Sequence, residues 1–146
     1  MTKTFLSWWL FFVLQVIILG ASYIYELHVY ILNNDQTYIS FILIAIWLFT
    51  SMRIGYKLLK NITSSNEKFW FIAETCMAIG MMGTVLGFIL MLGSSDLGSI
   101  DPSDVEGMKN VIGHLAKGMA TALLTTLTGL IVSVSLRTQL MIGEGE

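Results

Sequence analysis

The sequence predicts an all-α integral membrane protein whose residues 1–146 form a single membrane domain with four transmembrane helices. Hydrophobic residues make up 55% of the chain and charged residues only 12%, about half the charged fraction of a soluble domain. Long windows without charge are separated by short polar segments. The alternating pattern of membrane strands is absent, which excludes a membrane barrel.

The uncharged windows predict spans at about residues 5–25, 37–53, 69–93 and 116–136. Each approaches or reaches the 17–25 residues or so that a bilayer core requires, and the second is the shortest. The first window could instead be a signal peptide, because Lys3 precedes an apolar run. That run continues through Tyr25, beyond the usual apolar length of about 7–15 residues, which favours a span.

Three connections join these spans. Asn33 to Gln36 predicts a tight outer turn, and residues 54–68 predict a short polar loop on the other side. Residues 94–115 predict an acidic outer loop, in which Pro102 and the glycines interrupt any continuous helix. From Asp104 onward an interfacial helix is expected to lead into the last span.

The basic residues predict the orientation. One side of the predicted membrane domain carries six of the eight lysines and arginines: Lys3, Arg53, Lys57, Lys60, Lys68 and Arg137. The positive-inside rule therefore places both termini and the 54–68 loop in the cytoplasm. Trp8 and Trp9 are expected in the aromatic belt at the inner interface.

The two halves of the chain differ in residue composition. The first two spans are bulky and nearly free of polar residues, which predicts lipid-facing support. In the third span Gly80, Gly83 and Gly87 follow one helical stripe, and the last two form a GxxxG pair, typical of close helix packing.

The fourth span has one small and hydroxylated face, consisting of Gly118, Thr121, Ala122, Thr125, Thr126, Thr128, Gly129 and Ser133. Two interpretations are open. The hydroxyls could bond to backbone carbonyls or to neighbouring helices. They could instead line a hydrated path, because a hydroxyl both donates to and accepts from an ion or water.

These two spans together resemble the MotA/TolQ/ExbB proton channel family. The matching residues in the third span are Gly80, Gly83, Thr84, Val85 and Gly87, and those in the fourth are Gly118, Ala120, Ala122, Leu123, Leu124, Thr126, Gly129 and Leu130. The resemblance extends from about Met77 to Ser135. The Gly-Thr-Val core is closer to TolQ and ExbB, whereas the four-span layout is closer to flagellar stator proteins.

The resemblance implies a subunit of a motor driven by the proton-motive force in a bacterial inner membrane. Five copies would form a ring around a dimeric single-span partner of the MotB/TolR/ExbD type, which carries a membrane aspartate. Small glycines would line the central hole, and Thr84 and Thr126 match the paired pore threonines of the family. The transported ion would be H⁺ or Na⁺, with no cofactor.

Several positions depart from the family pattern. Prolines of the family are replaced by Met77 and Ser135, and the acidic position early in the last ExbB span is Thr121. The large cytoplasmic domain of stators is reduced to residues 54–68. The pore motifs are therefore kept, while features linked to gating and to a cytoplasmic load are altered.

Glu74 is the one carboxylate inside a predicted span, and intramembrane carboxylates are functional candidates. It could be a proton exit residue, or an inner anchor paired with Lys68 or Arg137. His28 and His114 are expected to be solvated at the outer surface. Neither metal-ligand nor nucleophile constellations occur, so an enzyme is not predicted, and no basic pattern indicates nucleic-acid binding.

Two other classes remain open from the sequence. A non-conducting membrane scaffold or assembly protein would use the glycines only for helix packing. A holin-like pore-former would need no ordered motif.

Overall fold

The computed structural model describes residues 3–24, 29, 38–60, 62, 65–94 and 105–144. They form four long helices: α1 (Lys3–Ile24), α2 (Ile39–Leu59), α3 (Glu67–Ser94) and α4 (Val105–Glu144). All four are long and apolar enough to cross a membrane, and the described residues contain no strand. The all-α membrane class is confirmed. The predicted outer turn, His28 and residues 95–104 of the acidic loop lie outside the described residues.

The inner connection is shorter than the predicted 54–68 loop, because α2 continues to Leu59. The Lys60 amide still donates to the Tyr56 carbonyl at 3.2 Å. The Glu67 amide donates to Ser65 Oγ at 3.3 Å and so begins α3, with an acidic residue favourably placed in the first turn. At the far end of α4, Glu144 Oε1 accepts from Asn66 Nδ2 at 3.0 Å and Trp70 Nε1 at 2.9 Å.

The fourth helix is the longest element, with 40 residues. At the rise of an α-helix it extends about 60 Å, twice the thickness of a bilayer core. Residues 105–115, expected in the outer loop with a separate interfacial helix, are continuous with the last span. Neither Gly107 nor Gly113 interrupts them, because a single glycine costs a helix only about 1 kcal/mol.

The helices α3 and α4 pack antiparallel along most of their length, and α1 and α2 cover the C-terminal half of α4. The buried apolar core between these four helices consists of Phe5, Trp8, Leu43, Trp47, Ile54, Ala73, Cys76, Val132, Leu136 and Leu140. This core lies toward the ends that the basic residues mark as cytoplasmic. In the N-terminal half of α4, the contact that the structure describes is with α3.

A buried polar cluster fastens α1 and α2 to α4, and it consists of Trp8, Gln15, Trp47, Ser51, Ser135 and Gln139. The Gln139 side chain is fully buried; its Oε1 accepts from Ser51 Oγ at 2.7 Å, and its Nε2 donates to Gln15 Oε1 at 2.7 Å. Ser135 Oγ accepts from Trp47 Nε1 at 2.8 Å and from Gln15 Nε2. The expectation that α1 and α2 are nearly apolar, lipid-facing support was therefore wrong for their inner sides.

Trp8 also differs from its expected place in the interfacial aromatic belt. Its side chain is only 4% exposed and its Nε1 donates to Gln139 Oε1 at 3.3 Å. The indole ring fills the space beside Gly55, where an added Cβ would overlap it. Trp9, the next residue, is 49% exposed, so Trp8 lies in the core and Trp9 lies on the surface.

We expect Gln139→Leu to destabilise the bundle by about 1–3 kcal/mol, because three bonded partners lose their buried acceptor or donor. Unfolding in mixed detergent micelles measures the change. Thr138→Ala is the matched control, since the Thr138 hydroxyl only donates to the Val134 carbonyl of its own helix. Equal stabilities for both variants would contradict a structural role for the cluster.

Candidate functional site

The contact between α3 and α4 is built from glycine backbone. An ideal Cβ on Gly129 would lie 2.7 Å from the Gly80 Cα and 3.0 Å from the Cys76 carbonyl oxygen. Real Cβ atoms do not approach backbone so closely, and backbone cannot rotate away as a side chain can. The two helices reach this separation only because both positions are glycine.

The same close approach continues toward the outer side in three further steps. An added Cβ would lie 2.5 Å from Thr125 Oγ1 at Gly83, 2.8 Å from the Ala122 Cβ at Gly87, and 2.5 Å from the Met91 Cβ at Gly118. As residue numbers rise along α3 they fall along α4. We name the whole contact the glycine seam: Gly80, Gly83, Gly87, Gly118, Gly129 and the residues facing them.

The glycine seam shows which surface these glycines contact within the single chain. The glycines were expected to keep the wall of a central hole small. In the structure the glycine-bearing side of each helix is covered by the other helix of the same chain, and Gly80, Gly83, Gly87 and Gly129 are buried. The close approach that they permit is therefore between α3 and α4.

The hydroxyl groups of Thr126 and Thr84 both donate to backbone carbonyls. Thr126 Oγ1 donates across the seam to the Gly80 carbonyl at 3.0 Å, and Thr84 Oγ1 donates to the Met81 carbonyl of its own helix. Both side chains are half-buried. With the hydrogen engaged, each oxygen presents acceptor lone pairs to its remaining surroundings, which suits a cation or a water hydrogen.

Helix rotation separates the two sides of α4. Thr126 and Ser135 are nine residues apart, about half a turn in direction, so α1 and α2 pack on the side opposite Thr126. Arg137, eleven residues from Thr126, points within about 20° of it. The side that carries Thr126 and Arg137 is thus left uncovered by the first two helices.

Glu74 lies toward the inner end on this uncovered side. Its Oε1 is 3.6 Å from Arg137 Nη2, and the two side chains are 64% and 39% exposed in the single chain. Of the two anchors considered from the sequence, Lys68 and Arg137, the structure places Arg137 beside it. The Arg137 Nε is buried without a hydrogen-bond partner.

Thr121 is buried in the structure. It is only 2% exposed, and its Oγ1 donates to the Lys117 carbonyl at 3.2 Å. It contributes to the floor of a small cleft between α3 and α4, lined also by Gly87, Leu90, Met91, His114, Lys117 and Gly118. His114 itself is exposed, as expected.

Two important residues, Thr125 and Gln139, were not assigned a role of their own from the sequence. Thr125 is fully buried, and its Oγ1 donates to the Ala122 carbonyl at 3.0 Å while its side chain fills the gap left by Gly83. The spacing of Thr125 from Gly129 and Ala122 was a usable signal, since small residues at such intervals mark a packing face. Gln139 gave no such signal, because it lies two residues after Arg137, where the sequence predicts the membrane interface.

Fold and site together define a four-helix membrane protein with a glycine-packed helix pair, in which Thr84 and Thr126 bond to backbone carbonyls of α3. The chain belongs to the MotA/TolQ/ExbB proton channel family, whose model matches residues 52–138, well over half of the chain. The matched region contains the glycine seam and both threonines. Neither a curated protein nor a solved structure matches the chain.

We expect Gly129→Ala to destabilise the helix pair by about 1–3 kcal/mol, because the added methyl group meets the Gly80 backbone. Thermal unfolding in detergent measures the change. Gly113→Ala on the same helix is the control, since nothing lies within 4 Å of its added Cβ and alanine favours a helix by about 1 kcal/mol. The seam would be refuted as a close contact if Gly129→Ala were as stable as Gly113→Ala.

Proposed function

We propose that this protein is the ion-conducting subunit of a membrane motor driven by the proton-motive force. Several copies, five by analogy with the family, would surround a dimeric single-span partner that carries a membrane aspartate. The protein would lie in the inner membrane of a bacterium with both termini in the cytoplasm. The single observation that carries the proposal is the pair Thr84 and Thr126 beside the glycine seam, on a side that α1 and α2 leave uncovered.

The threonine oxygens explain how a dehydrated cation could be accepted there. Each hydroxyl hydrogen is held by a carbonyl, at Gly80 for Thr126 and at Met81 for Thr84, so the oxygen lone pairs face outward from the bond. Neutral acceptors stabilise a hydronium or sodium ion without trapping it, whereas a carboxylate would hold it. The partner's aspartate would carry the proton past this point.

Release toward the cytoplasm would occur near Glu74. This carboxylate lies six residues before Gly80, about 9 Å toward the inner end of α3, and Arg137 is 3.6 Å away. The Glu74 side chain is 64% exposed in the single chain, so a proton released there would reach water. Each release would allow the ring to advance by one subunit relative to the partner.

A non-conducting scaffold or assembly protein is the second candidate, and a specific observation favours it. All five seam glycines serve packing within one chain, and both threonine hydroxyls already bond to carbonyls. A scaffold needs nothing more from these residues. Flux measurements separate the candidates.

We expect the double variant Thr84→Val/Thr126→Val to insert and assemble normally but to lose most proton flux. Valine keeps nearly the same shape while removing both oxygen acceptors, and one membrane hydrogen bond is worth only about 0.6 kcal/mol. Flux is measured in liposomes that contain the protein with its partner, and assembly by native mass spectrometry.

Thr75→Val/Thr128→Val is the matched control for that experiment. Thr75 precedes Thr84 by nine residues, which turns it about half a turn away from the proposed path. Thr128 follows Thr126 by two residues and so lies at the opposite edge of the hydroxylated face, also about half a turn from Thr126. Their hydroxyls also bond to carbonyls, of Phe71 at 2.8 Å and Leu124 at 2.9 Å. Undiminished flux through the Thr84/Thr126 variant, or an equal loss in the control, would favour the scaffold.

We expect a cysteine at Ser65 to react with a membrane-impermeant maleimide only from the cytoplasm, and one at Asn110 only from outside. Both positions are described by the structure, and Asn110 lies on the exposed outer part of α4. Cys76→Ala provides the background, since Cys76 is buried in α3. The reverse pattern would invert the proposed direction of ion flow.

A further inference from the structure

The exposed side of α2 carries a stripe in which aromatic and cationic residues alternate: Phe49, Arg53, Tyr56 and Lys60. Their spacing of four, three and four residues places them on one helical face. This aromatic–cationic stripe lies opposite the buried side of α2 that holds Trp47, Ser51 and Ile54. Phe49 is 62% exposed and Tyr56 is 54% exposed, so the described chain does not cover the stripe.

Each cation of the stripe lies over the ring one turn before it. The Arg53 Cζ is 5.0 Å from the centroid of Phe49, and the Lys60 Nζ is 4.8 Å from that of Tyr56. Both distances are within the range of a cation–π interaction. The side chains thus point toward the beginning of α2. In the proposed orientation this is toward the membrane interior, so the Arg53 guanidinium lies about one turn deeper than its own Cα.

Among the described residues, no carboxylate forms an ion pair with Arg53 or Lys60. Glu74 lies beside Arg137 instead. An aromatic face attracts a cation without cancelling its charge. A cation at membrane depth is costly unless an anion reaches it. At the inner interface, the anion available to these cations is the phosphate group of a lipid.

The rest of the exposed side of α2 suits the acyl chains of that lipid. Ile42 is 55% exposed and lies eleven residues before Arg53, about 16 Å along the helix. That length matches one leaflet, which is half of a bilayer core about 30 Å thick. Ile42 and Phe49 therefore offer an apolar track that ends at the two cations.

We propose that the aromatic–cationic stripe binds an anionic phospholipid of the inner leaflet. The Arg53 guanidinium donates to the phosphodiester oxygens, for which its planar fork is suited, and Lys60 supplies a second positive charge nearer the cytoplasm. The acyl chains lie along Ile42 and Phe49. The leaflet rests on the proposed orientation, whereas the binding itself does not depend on ion conduction.

Lipid retention in native mass spectrometry tests the proposal. The protein is released from nanodiscs of phosphatidylcholine with a minor fraction of phosphatidylglycerol, and retained phosphatidylglycerol is counted. We expect preferential retention by the parent protein and about fivefold lower retention in Arg53→Gln, the effect of one basic residue near an anionic surface. Arg53→Lys should lose less, because it keeps the charge and loses only the fork.

Lys68→Gln is the matched control, since Lys68 is an exposed lysine at the same end of the molecule but outside the stripe. Excess inorganic phosphate should not displace the lipid, because it has no acyl chains. Equal retention by Arg53→Gln and the parent, or an equal loss in Lys68→Gln, would overturn the proposal. A changed oligomeric state with unchanged retention would assign the stripe to a contact with a second copy. No partner or ion gradient is needed, so a failed flux experiment leaves the result intact.

Discussion

The approach of two glycine backbones, Gly80 on α3 and Gly129 on α4, is the contact on which the rest of the structure depends. It brings the Gly80 carbonyl within reach of the Thr126 hydroxyl, which no side chain at either glycine would allow. In a bilayer the lipid is as apolar as leucine, so helices associate through close packing and hydrogen bonds rather than through burial of apolar surface. The glycine seam supplies both.

The two sides of α4 are held by different kinds of interaction. Toward α3 the contact is steric, and its partners are backbone atoms and small side chains. Toward α1 and α2 it is polar, because Gln139 and Ser135 satisfy donors from both helices in an otherwise apolar region. Such bonds are directional, so they specify one rotation of α1 and α2 about α4 where apolar packing alone would accept several. The division leaves the Thr126 side of α4 open.

Much of the fold could be predicted from the sequence, because a bilayer core demands long uncharged segments and these are visible as windows. The glycine spacing and the threonines were visible for the same reason, as periodic features. The surface that the glycines contact could not be predicted, because a Gly83/Gly87 pair packs equally well against a helix of its own chain or of another chain. The full length of α4 was also hidden, because residues 105–115 were expected to form a separate interfacial helix and their sequence does not show that this helix continues unbroken into the last span. The role of Gln139 could not be predicted either, because it depends on hydrogen-bond partners on α1 and α2.

The length of α4 has a mechanical consequence. A continuous helix that crosses the glycine seam is a lever with its fulcrum where the two backbones touch. From Gly129 the arm toward Val105 measures about 36 Å and the arm toward Glu144 about 22 Å, so a tilt of about 5° displaces the long arm by roughly 3 Å. The short arm is tethered through Glu144 to Asn66 and Trp70. A push applied at the Val105 end would therefore be felt at the Glu144 end, reduced in distance and increased in force.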